Sequence, residues 1–242
     1  MAMDPAPDSC RSGRLCARCV LRPVAGQAGS GGDASCPFAP LAEPLRQLAR
    51  GERLHAGGDE LDGVTLVVEG ALKSVCFAPD GEEQVLAFHL PGELLGLDAL
   101  AAGRHVSDVV ALSAATVCRF PVDGLLSRGT PRAAAQARLA RAIGESAARD
   151  RPQVQLLLRR QAAERIALFL DRLLIRMQPP GESLVELTLP MSRDHIARHI
   201  GLALETVSRG FTRLQDDGVI RVLGRHIEIR DPDALARLAR RS

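Results

Sequence analysis

Five short β-prone runs, separated by turn-forming glycines and prolines, fill the stretch from Arg53 to Pro121 and restrict its fold more than any other feature. Short strands at near-regular spacing with glycine-rich corners are typical of an antiparallel roll or barrel. The sequence therefore predicts an N-terminal β-roll over residues 41–130. The expected strands are Val64–Val68, Leu72–Phe77, Gln84–His89, Val106–Leu112 and Thr116–Phe120.

A segment rich in alanine and arginine follows over residues 131–160 and predicts a long helix. Its apolar side chains recur at the spacing of a single helical stripe. Pro152 interrupts the pattern, so we expect a kink or a break there. One apolar stripe packs either on its own protein or against a second copy in a coiled coil. The stripe consists of Leu139, Ile143, Ala147, Val154 and Leu157.

Residues 161–242 have the pattern of a winged helix-turn-helix. A helix is expected over Ala162–Met177, and Ser192 is placed to cap a short helix over Arg193–Ile200. Gly201-Leu202 supplies a tight turn into a further helix over Leu204–Asp217. The run 218–229 then predicts a β-hairpin, which would be the wing of the motif.

The helix over Leu204–Asp217 has two distinct faces. One face is apolar, and the other carries Glu205, Ser208, Arg209 and Thr212. Arginine donates two hydrogen bonds to guanine, glutamate accepts from cytosine, and serine serves a base or a phosphate. The polar face therefore has the chemistry to bind in a DNA major groove. The alternative is a small helical subdomain whose polar face is merely solvated.

Composition indicates a globular protein, and the charge distribution indicates that its C-terminal part is the one suited to a polyanion. Of the 242 residues, 46% are hydrophobic and 25% charged, which excludes wholesale disorder. Acidic side chains outnumber basic ones in residues 51–130, and the order reverses in residues 151–242. No apolar stretch is long enough to span a bilayer and no signal-peptide pattern is present. We therefore expect a cytoplasmic protein with no membrane partner.

The sequence Glu205-Thr-Val-Ser208-Arg209, with Gly201-Leu202 ahead of it, resembles the recognition helix of the CRP/FNR superfamily of bacterial transcription regulators. Its Glu-x-x-Ser-Arg pattern is the variant typical of the FNR branch. The resemblance extends from about residue 40 to the end of the chain. It implies a cyclic-nucleotide-binding-like jelly roll, a dimerisation helix and a winged helix-turn-helix, hence an α+β fold. Further matching stretches are Gly81-Glu-Glu-Gln-Val, Phe88–Ala99 and Ala162–Ile166.

The resemblance also implies partners for each part. Glu205, Ser208 and Arg209 would contact bases of TTGAT-type half-sites in a palindromic double-stranded operator, bound by a homodimer. Family members activate genes of anaerobic metabolism by touching RNA polymerase, and the Pro79–Glu83 turn lies where one such contact would be. Acidic residues at the dimer seam are a family feature. The dimer interface is therefore expected to include Asp150, together with Leu139 and Ile143 of the apolar stripe.

Residues 1–40 form a cysteine-rich segment, which contains four of the six cysteines. Six cysteines in a chain without an export signal favour metal or redox chemistry over structural disulfides. Cys16-x-x-Cys19 is able to place two thiolates on one metal or cluster, yet this spacing alone is weakly specific. Cysteines in strands, as expected for Cys76 and Cys118, are usually small buried hydrophobes. The residues alone therefore leave a cluster, zinc, a dithiol switch or no cofactor open.

In FNR-type regulators, three N-terminal cysteines and one from the β-roll hold a [4Fe–4S] cluster. The resemblance assigns these roles to Cys16, Cys19, Cys36 and Cys118, and leaves Cys10 and Cys76 as extras. Sixteen residues, 20–35, separate Cys19 from Cys36, which is a much longer spacer than the family usually has. A longer loop costs little closure entropy, but it leaves Cys10 as an alternative ligand.

Two rival functions remain. The first is a regulator of the same fold that responds to a cyclic nucleotide, because Gly92-Glu93-Leu94 resembles the ribose-binding stretch of such receptors. Val106-Ser107, however, stands where those receptors have an arginine for the phosphate.

The second rival function is a metal enzyme, which would need histidines at ligand spacing. His55, His89 and His105 lack that spacing and are expected on the surface or in turns. His195 and His199, one helical turn apart, are expected to face solvent or phosphate rather than zinc.

Overall fold

The computed structural model describes residues 41–126, 137, 139–147, 161–178 and 185–240. The chain divides into two compact units. The first comprises Met1–Val75 and Phe88–Ala147, and the second comprises Cys76–Ala87 and Ala148–Ser242. The predictions on Cys10, Cys16, Cys19, Cys36, Asp150 and Pro152 fall outside the described residues and stay predictions.

Eight strands build two four-stranded sheets with the orders β1-β8-β3-β6 and β2-β7-β4-β5. All five expected strands are confirmed to within a few residues. Three further strands have only two or three residues, too few to produce an alternating pattern in the sequence. The strands are β1 (Arg46–Leu48), β2 (Arg53–His55), β3 (Gly63–Glu69), β4 (Leu72–Phe77), β5 (Glu83–His89), β6 (Leu94–Leu95), β7 (Asp108–Ala111) and β8 (Ala115–Pro121).

Strands β3 and β8 form the longest antiparallel pair of the first unit, with Leu66 opposite Cys118 and Val67 opposite Val117. Because side chains alternate along a strand, Val117 joins a core cluster drawn from both sheets, whereas Cys118 joins a second cluster. The turn after β3 requires glycine: Gly70 has a φ of 78°, and a Cβ there would collide with the Ala114 carbonyl oxygen.

Helical residues flank the roll. Helix α1 (Val122–Leu126) follows β8, and residues 139–147 form a helix α2 within the segment predicted to be helical. Leu139 and Ala142 of α2 pack in the same cluster as Cys118. Of the predicted stripe, Leu139 therefore packs on the β3–β8 sheet, whereas Ile143 and Ala147 are exposed.

The second unit holds the predicted helices and a three-stranded sheet. The helices α3 (Ala162–Met177), α4 (Arg193–Ile200) and α5 (Leu204–Asp216) confirm the expected order and bounds, and β10 (Ile220–Leu223) pairs with β11 (His226–Ile229) as the expected hairpin. Strand β9 (Glu186–Thr188) and helix α6 (Pro232–Arg240) were not expected. Helix α6 did carry a signal, because Asp231 caps the amide of Ala234 at 2.8 Å and Pro232 follows at the first helical position.

Among the described residues, no helix is both long enough and apolar enough to cross a bilayer.

Candidate functional site

A capped short helix and a left-handed glycine build the helix-turn-helix. The Ser192 hydroxyl accepts a hydrogen bond from the amide of His195 at 3.1 Å, and the His195 Nδ1 accepts from the Ser192 amide at 3.5 Å. Helix α4 ends at Gly201, whose φ of 66° is accessible to glycine at little cost. The next amide, of Leu202, still donates to the Ala197 carbonyl at 3.0 Å. The expected cap and turn are thus both present.

Helix α5 is fixed by its apolar face, and this determines what its other face presents. Val207, Phe211 and Leu214 are buried, and Gly210 lies so close to α3 that a Cβ would overlap the Ile166 Cδ1. The opposite face is solvent-exposed and carries Glu205, Ser208, Arg209 and Thr212. Within the described ranges, no side chain forms an ion pair or a hydrogen bond with Glu205 or Arg209. Both are therefore available to an external partner.

Arg193, the first residue of α4, is a candidate site residue that the sequence reasoning missed. Its guanidinium lies 3.3 Å from the centroid of the Phe211 ring. Its Nη1 is buried and has no hydrogen-bond partner in the described part of the chain. Burial lowers the pKa of Arg193 to about 10, so the group is still protonated at neutral pH. The residue as a whole is half-buried, so a cation held at the start of α4 is a candidate contact for a phosphate.

His199 lies in the interior of the second unit, so the expectation that it faces solvent or phosphate is wrong. Its Nδ1–H donates to the Val85 carbonyl oxygen at 3.2 Å, and its ring meets the edge of Phe169 at 5.8 Å between centroids. Burial, and then the charge of Arg176, lower the pKa of His199 to about 4, against the raising effect of the Val85 hydrogen bond. The ring is therefore neutral at physiological pH.

The hairpin end 76–87, which belongs to the second unit, is also held to α4 by hydrogen bonds from side chains to backbone carbonyls. The Arg198 Nη1 donates to the Glu83 carbonyl at 3.0 Å, and the Gln84 side-chain amide donates to the Arg198 carbonyl. Arg198 is also paired with Asp194 at 2.9 Å. The side chains of α4 therefore bind this hairpin as well as the neighbouring helices.

Two histidines of the β-roll stack on each other, which the sequence did not indicate. The His55 and His105 rings lie 3.5 Å apart between centroids at an interplanar angle of 14°. His105 is only 6% exposed, and its Nδ1 has no hydrogen-bond partner among the described residues. The expectation of surface or turn histidines is therefore wrong for His105. Burial, followed by the neighbouring His105, lowers the pKa of His55 to about 4.

The stacked histidines line a cavity of about 400 Å³, together with acidic side chains that include Asp59 and Asp62. No group of three or more histidine, cysteine, aspartate or glutamate side chains in the described ranges is arranged to hold a metal ion. His89 is engaged elsewhere, because its Nε2 lies 2.6 Å from the Ser74 hydroxyl. The roll histidines thus do not form a catalytic metal site within these residues.

Cys118 is the one proposed cluster ligand that the described residues include. Its side chain is 3% exposed, and its thiol lies 3.8 Å from the Glu43 carbonyl oxygen. It packs with Leu139 and Ala142 of α2, and with Leu41, Ala42 and Leu45 at the start of the described chain. Cys76 lies half-buried near the end of β4. A thiol beside the end of the cysteine-rich segment fits the thiolate donor set that an iron–sulfur cluster needs.

The two described candidates for the dimer interface differ in burial. Leu139 is buried in its own protomer, whereas Ile143 is 40% exposed. Ile143 therefore offers the free apolar surface that a second copy would cover. The roles of both residues at an interface stay predictions.

The two described positions where a cyclic-nucleotide receptor would have its cation hold Val106 and Ser107. Val106 is 65% exposed and Ser107 is buried. The Glu93 carboxylate accepts a hydrogen bond from the Leu90 amide at 3.0 Å, within its own turn. Neither Val106 nor Ser107 supplies a positive charge for a phosphate.

Comparisons with known proteins agree with this geometry. Residues 164–238 match the Crp-like helix-turn-helix domain, and residues 45–127 match the cyclic nucleotide-binding domain. The chain is 36% identical over 221 residues to the transcriptional activator protein Anr of Pseudomonas protegens, covering 84% of this chain and 91% of the relative. It is 35% identical over 201 residues to the fumarate and nitrate reduction regulatory protein of Escherichia coli K12, covering 82% and 80%.

Among solved structures, FixK2 from Bradyrhizobium japonicum is similar, with a TM-score of 0.73 and 28% identity over 82% of this chain and 98% of that chain. The matched relatives are named as transcription regulators, and none is named as an enzyme. The exposed recognition helix, the antiparallel roll and these similarities lead to one assignment. The chain belongs to the CRP/FNR superfamily of DNA-binding transcription regulators, with relatives of the FNR and Anr type.

Proposed function

We propose that this regulator senses oxygen or redox state through a [4Fe–4S] cluster and, as a cluster-loaded homodimer, binds palindromic TTGAT-type operators that control genes of anaerobic metabolism. The observation that carries the DNA-binding half is the exposed face of α5, where Glu205 and Arg209 have no partner within the described chain. The names of the relatives, which refer to fumarate and nitrate reduction, support the anaerobic role.

Each polar residue of α5 has a distinct part in operator binding. Arg209 would donate to guanine O6 and N7, Glu205 would accept from cytosine N4, and Ser208 would contact a base or a phosphate. Arg193, held on the Phe211 ring, would contact the phosphate backbone and set the register without reading sequence. The half-site would be read twice, because a homodimer presents two copies of α5.

Operator binding by Arg209→Ala tests the DNA-binding half. The loss of a bidentate contact is expected to cost about 1–3 kcal/mol and to relax base preference at one position of each half-site. Arg240→Ala, which removes the same charge from exposed helix α6, is the matched control. Fluorescence anisotropy with a palindromic TTGAT operator and a scrambled duplex would measure both variants. Unchanged operator affinity of Arg209→Ala would show that this residue does not read bases.

Cys16, Cys19, Cys36 and Cys118 would hold the cluster, which when bound supplies oxygen-sensitive redox chemistry. The chain's own contribution is to keep Cys118 in a dry apolar cluster against α2, beside the entry of the cysteine-rich segment. Because α2 packs in the same cluster, a displacement of that segment would reach the helix that carries the exposed Ile143. This continuity supports a coupling between cysteine ligation and dimer formation.

Anaerobic reconstitution tests the cluster half. Wild type is expected to take up iron and sulfide and to lose its visible absorbance in air, whereas Cys118→Ser binds little of either. Cys76→Ser, which alters a cysteine outside the proposed ligand set, is expected to behave as wild type. Equal iron content in Cys118→Ser and wild type would exclude Cys118 as a ligand. Zinc without iron in the wild type would favour the zinc alternative.

A second candidate function is regulation by a small ligand, favoured by the cyclic nucleotide-binding domain match and by the cavity beside His105. The acidic cavity lining disfavours a phosphodiester, because Glu43 and Asp62 both pair with Arg119 and thereby occupy its donors. Calorimetric titration with cyclic AMP separates the two functions. Saturable binding that increased operator affinity would favour the ligand-responsive regulator.

A further inference from the structure

An ionic clamp holds the first described residues of the chain to β8, directly beside Cys118. Arg119 donates from Nε and Nη2 to the two carboxylate oxygens of Glu43, each at 2.7 Å, and from Nη1 to Asp62. The backbone adds a hydrogen bond from the Glu43 amide to the Arg119 carbonyl at 2.9 Å. The Glu43 carbonyl, in turn, accepts from the Cys118 thiol at 3.8 Å. Residue 43 is thus fixed from both sides.

We propose that Arg119 is a positioning residue for the sensing site: by clamping Glu43, it fixes the end of the cysteine-rich segment on β8 next to Cys118. The inference rests on the proposed function, in which Cys36 and Cys118 ligate one cluster. Cys36 precedes Glu43 by seven residues, so an anchored Glu43 keeps Cys36 within about 25 Å of the clamp. With Glu43 held on β8, chain length alone limits how far Cys36 lies from Cys118.

The chain has a particular need for such an anchor. The sixteen residues between Cys19 and Cys36 give the Cys16-x-x-Cys19 pair a long tether. A long tether costs little closure entropy but gives little orientation. Among the cysteines of the segment, Cys36 is the nearest in sequence to Glu43, so it is the one that the anchor constrains most.

The geometry of this clamp differs from that of the surface ion pairs nearby. Arg119 engages two carboxylates, and its hydrogen bonds to Glu43 raise its pKa above the usual range. The Arg119 and Glu43 side chains are 37% and 36% exposed. By contrast, Arg46 on β1 makes one contact of 3.0 Å with Glu52, and both side chains are more exposed. Bidentate, partly shielded pairs are the ones that hold a chain in place.

The clamp also keeps Cys118 covered. Leu41, Ala42 and Leu45, on either side of Glu43, pack on the apolar cluster that contains Cys118. If Arg119 releases Glu43, these residues lose their anchor and the thiol becomes accessible more often. The accessibility of Cys118 therefore reports on the clamp without any cluster being bound.

Alkylation of Cys118 in reduced, metal-free protein is the first test. Iodoacetamide labelling, mapped by peptide mass spectrometry, is expected to be about tenfold faster at Cys118 in Arg119→Gln than in wild type, as for the loss of one charge-assisted contact. Glu43→Gln, a milder change, should also increase the rate of Cys118 alkylation. Arg46→Gln on the neighbouring strand β1 is the matched control and should stay within about twofold of wild type. The Arg119→Gln/Glu43→Gln double variant should be alkylated no faster than Arg119→Gln, because both substitutions remove the same Arg119–Glu43 interaction.

The second measurement relates the clamp to the sensing site. After anaerobic reconstitution, Arg119→Gln is expected to hold iron and sulfide but to lose them in air several-fold faster than wild type and Arg46→Gln. Unchanged alkylation of Cys118 would overturn the clamp itself. Faster alkylation with an unchanged lifetime in air would overturn its positioning role. Wild type without iron would refute the proposed function and with it the role toward the cluster, while the alkylation rates would still decide whether Arg119 anchors Glu43.

Discussion

One added methyl group at Gly210 would test how tightly the recognition helix α5 is seated. A Cβ at this position would overlap the Cδ1 methyl of Ile166, which is fully buried in α3. Replacing glycine by alanine within a helix normally stabilises it by about 1 kcal/mol. Overpacking a filled core costs about 1–3 kcal/mol. The net expectation for Gly210→Ala is therefore a loss of up to about 2 kcal/mol in the free energy of unfolding of the second unit.

Ile166→Val provides the matched background, because valine lacks only the Cδ1 methyl. Alone, this change costs about 0.5–1.5 kcal/mol. In its presence the overlap disappears and the gain in helix propensity remains, so adding Gly210→Ala should no longer destabilise. The coupling free energy between the two substitutions should therefore be about 1–3 kcal/mol.

Urea unfolding followed by far-ultraviolet circular dichroism would measure this cycle, since the chain contains no tryptophan or tyrosine for fluorescence. Operator affinity gives a second readout, because a displaced α5 also displaces Ser208 and Arg209. Additive free energies across the four proteins would refute the reasoning. So would a Gly210→Ala variant that is more stable than wild type in the presence of Ile166.

Two further predictions concern charge. The pKa of His199 is about 4 in the folded chain and about 6.5 unfolded, so protonation favours the unfolded state. His199 therefore does not reduce the free energy of unfolding above about pH 6.5, and it reduces it progressively as the pH falls from 6.5 toward 4. Between pH 7 and pH 4.5, His199→Gln should therefore lose about 2 kcal/mol less than wild type, measured by urea unfolding at each pH; equal losses would contradict this. Arg193→Ala should weaken binding to operator and scrambled duplex alike and lower the salt slope by about one, measured by anisotropy; a loss confined to the operator would instead indicate base readout.

Residues close in sequence were predictable, and residues brought together over long separations were not. The spacing of Val207, Phe211 and Leu214 alone sets which face of α5 is buried, so the exposed side chains could be named in advance. His199 on α4 lies between apolar residues at helical spacing, yet the Val85 carbonyl that accepts its hydrogen bond is 114 residues away. Periodicity carries no information on such a pairing.

In the β-roll, too, features set by neighbouring residues were predictable and long-range contacts were not. Runs of six or seven residues between glycine turns were visible, whereas two- and three-residue strands such as β6 carry no pattern. His105 is buried because it stacks on His55, fifty positions earlier, and nothing adjacent to either residue indicated that contact. Resemblance to a family, rather than periodicity, singled out Cys118, while its neighbour Arg119 was passed over because a lone arginine in a strand has no local signature.

The hydrogen bonds that join the 76–87 hairpin end to α4 all terminate on main-chain carbonyls. An amino-acid replacement at Glu83 would therefore leave its acceptor in place, whereas Val85 is constrained by its fully buried side chain rather than by this hydrogen bond. Cutting the hairpin away is a different matter. A fragment starting after residue 148 would lack the Val85 carbonyl that accepts from His199, and it would expose one side of α4. A minimal DNA-binding fragment of this regulator is therefore discontinuous in sequence, because it must include residues 76–87.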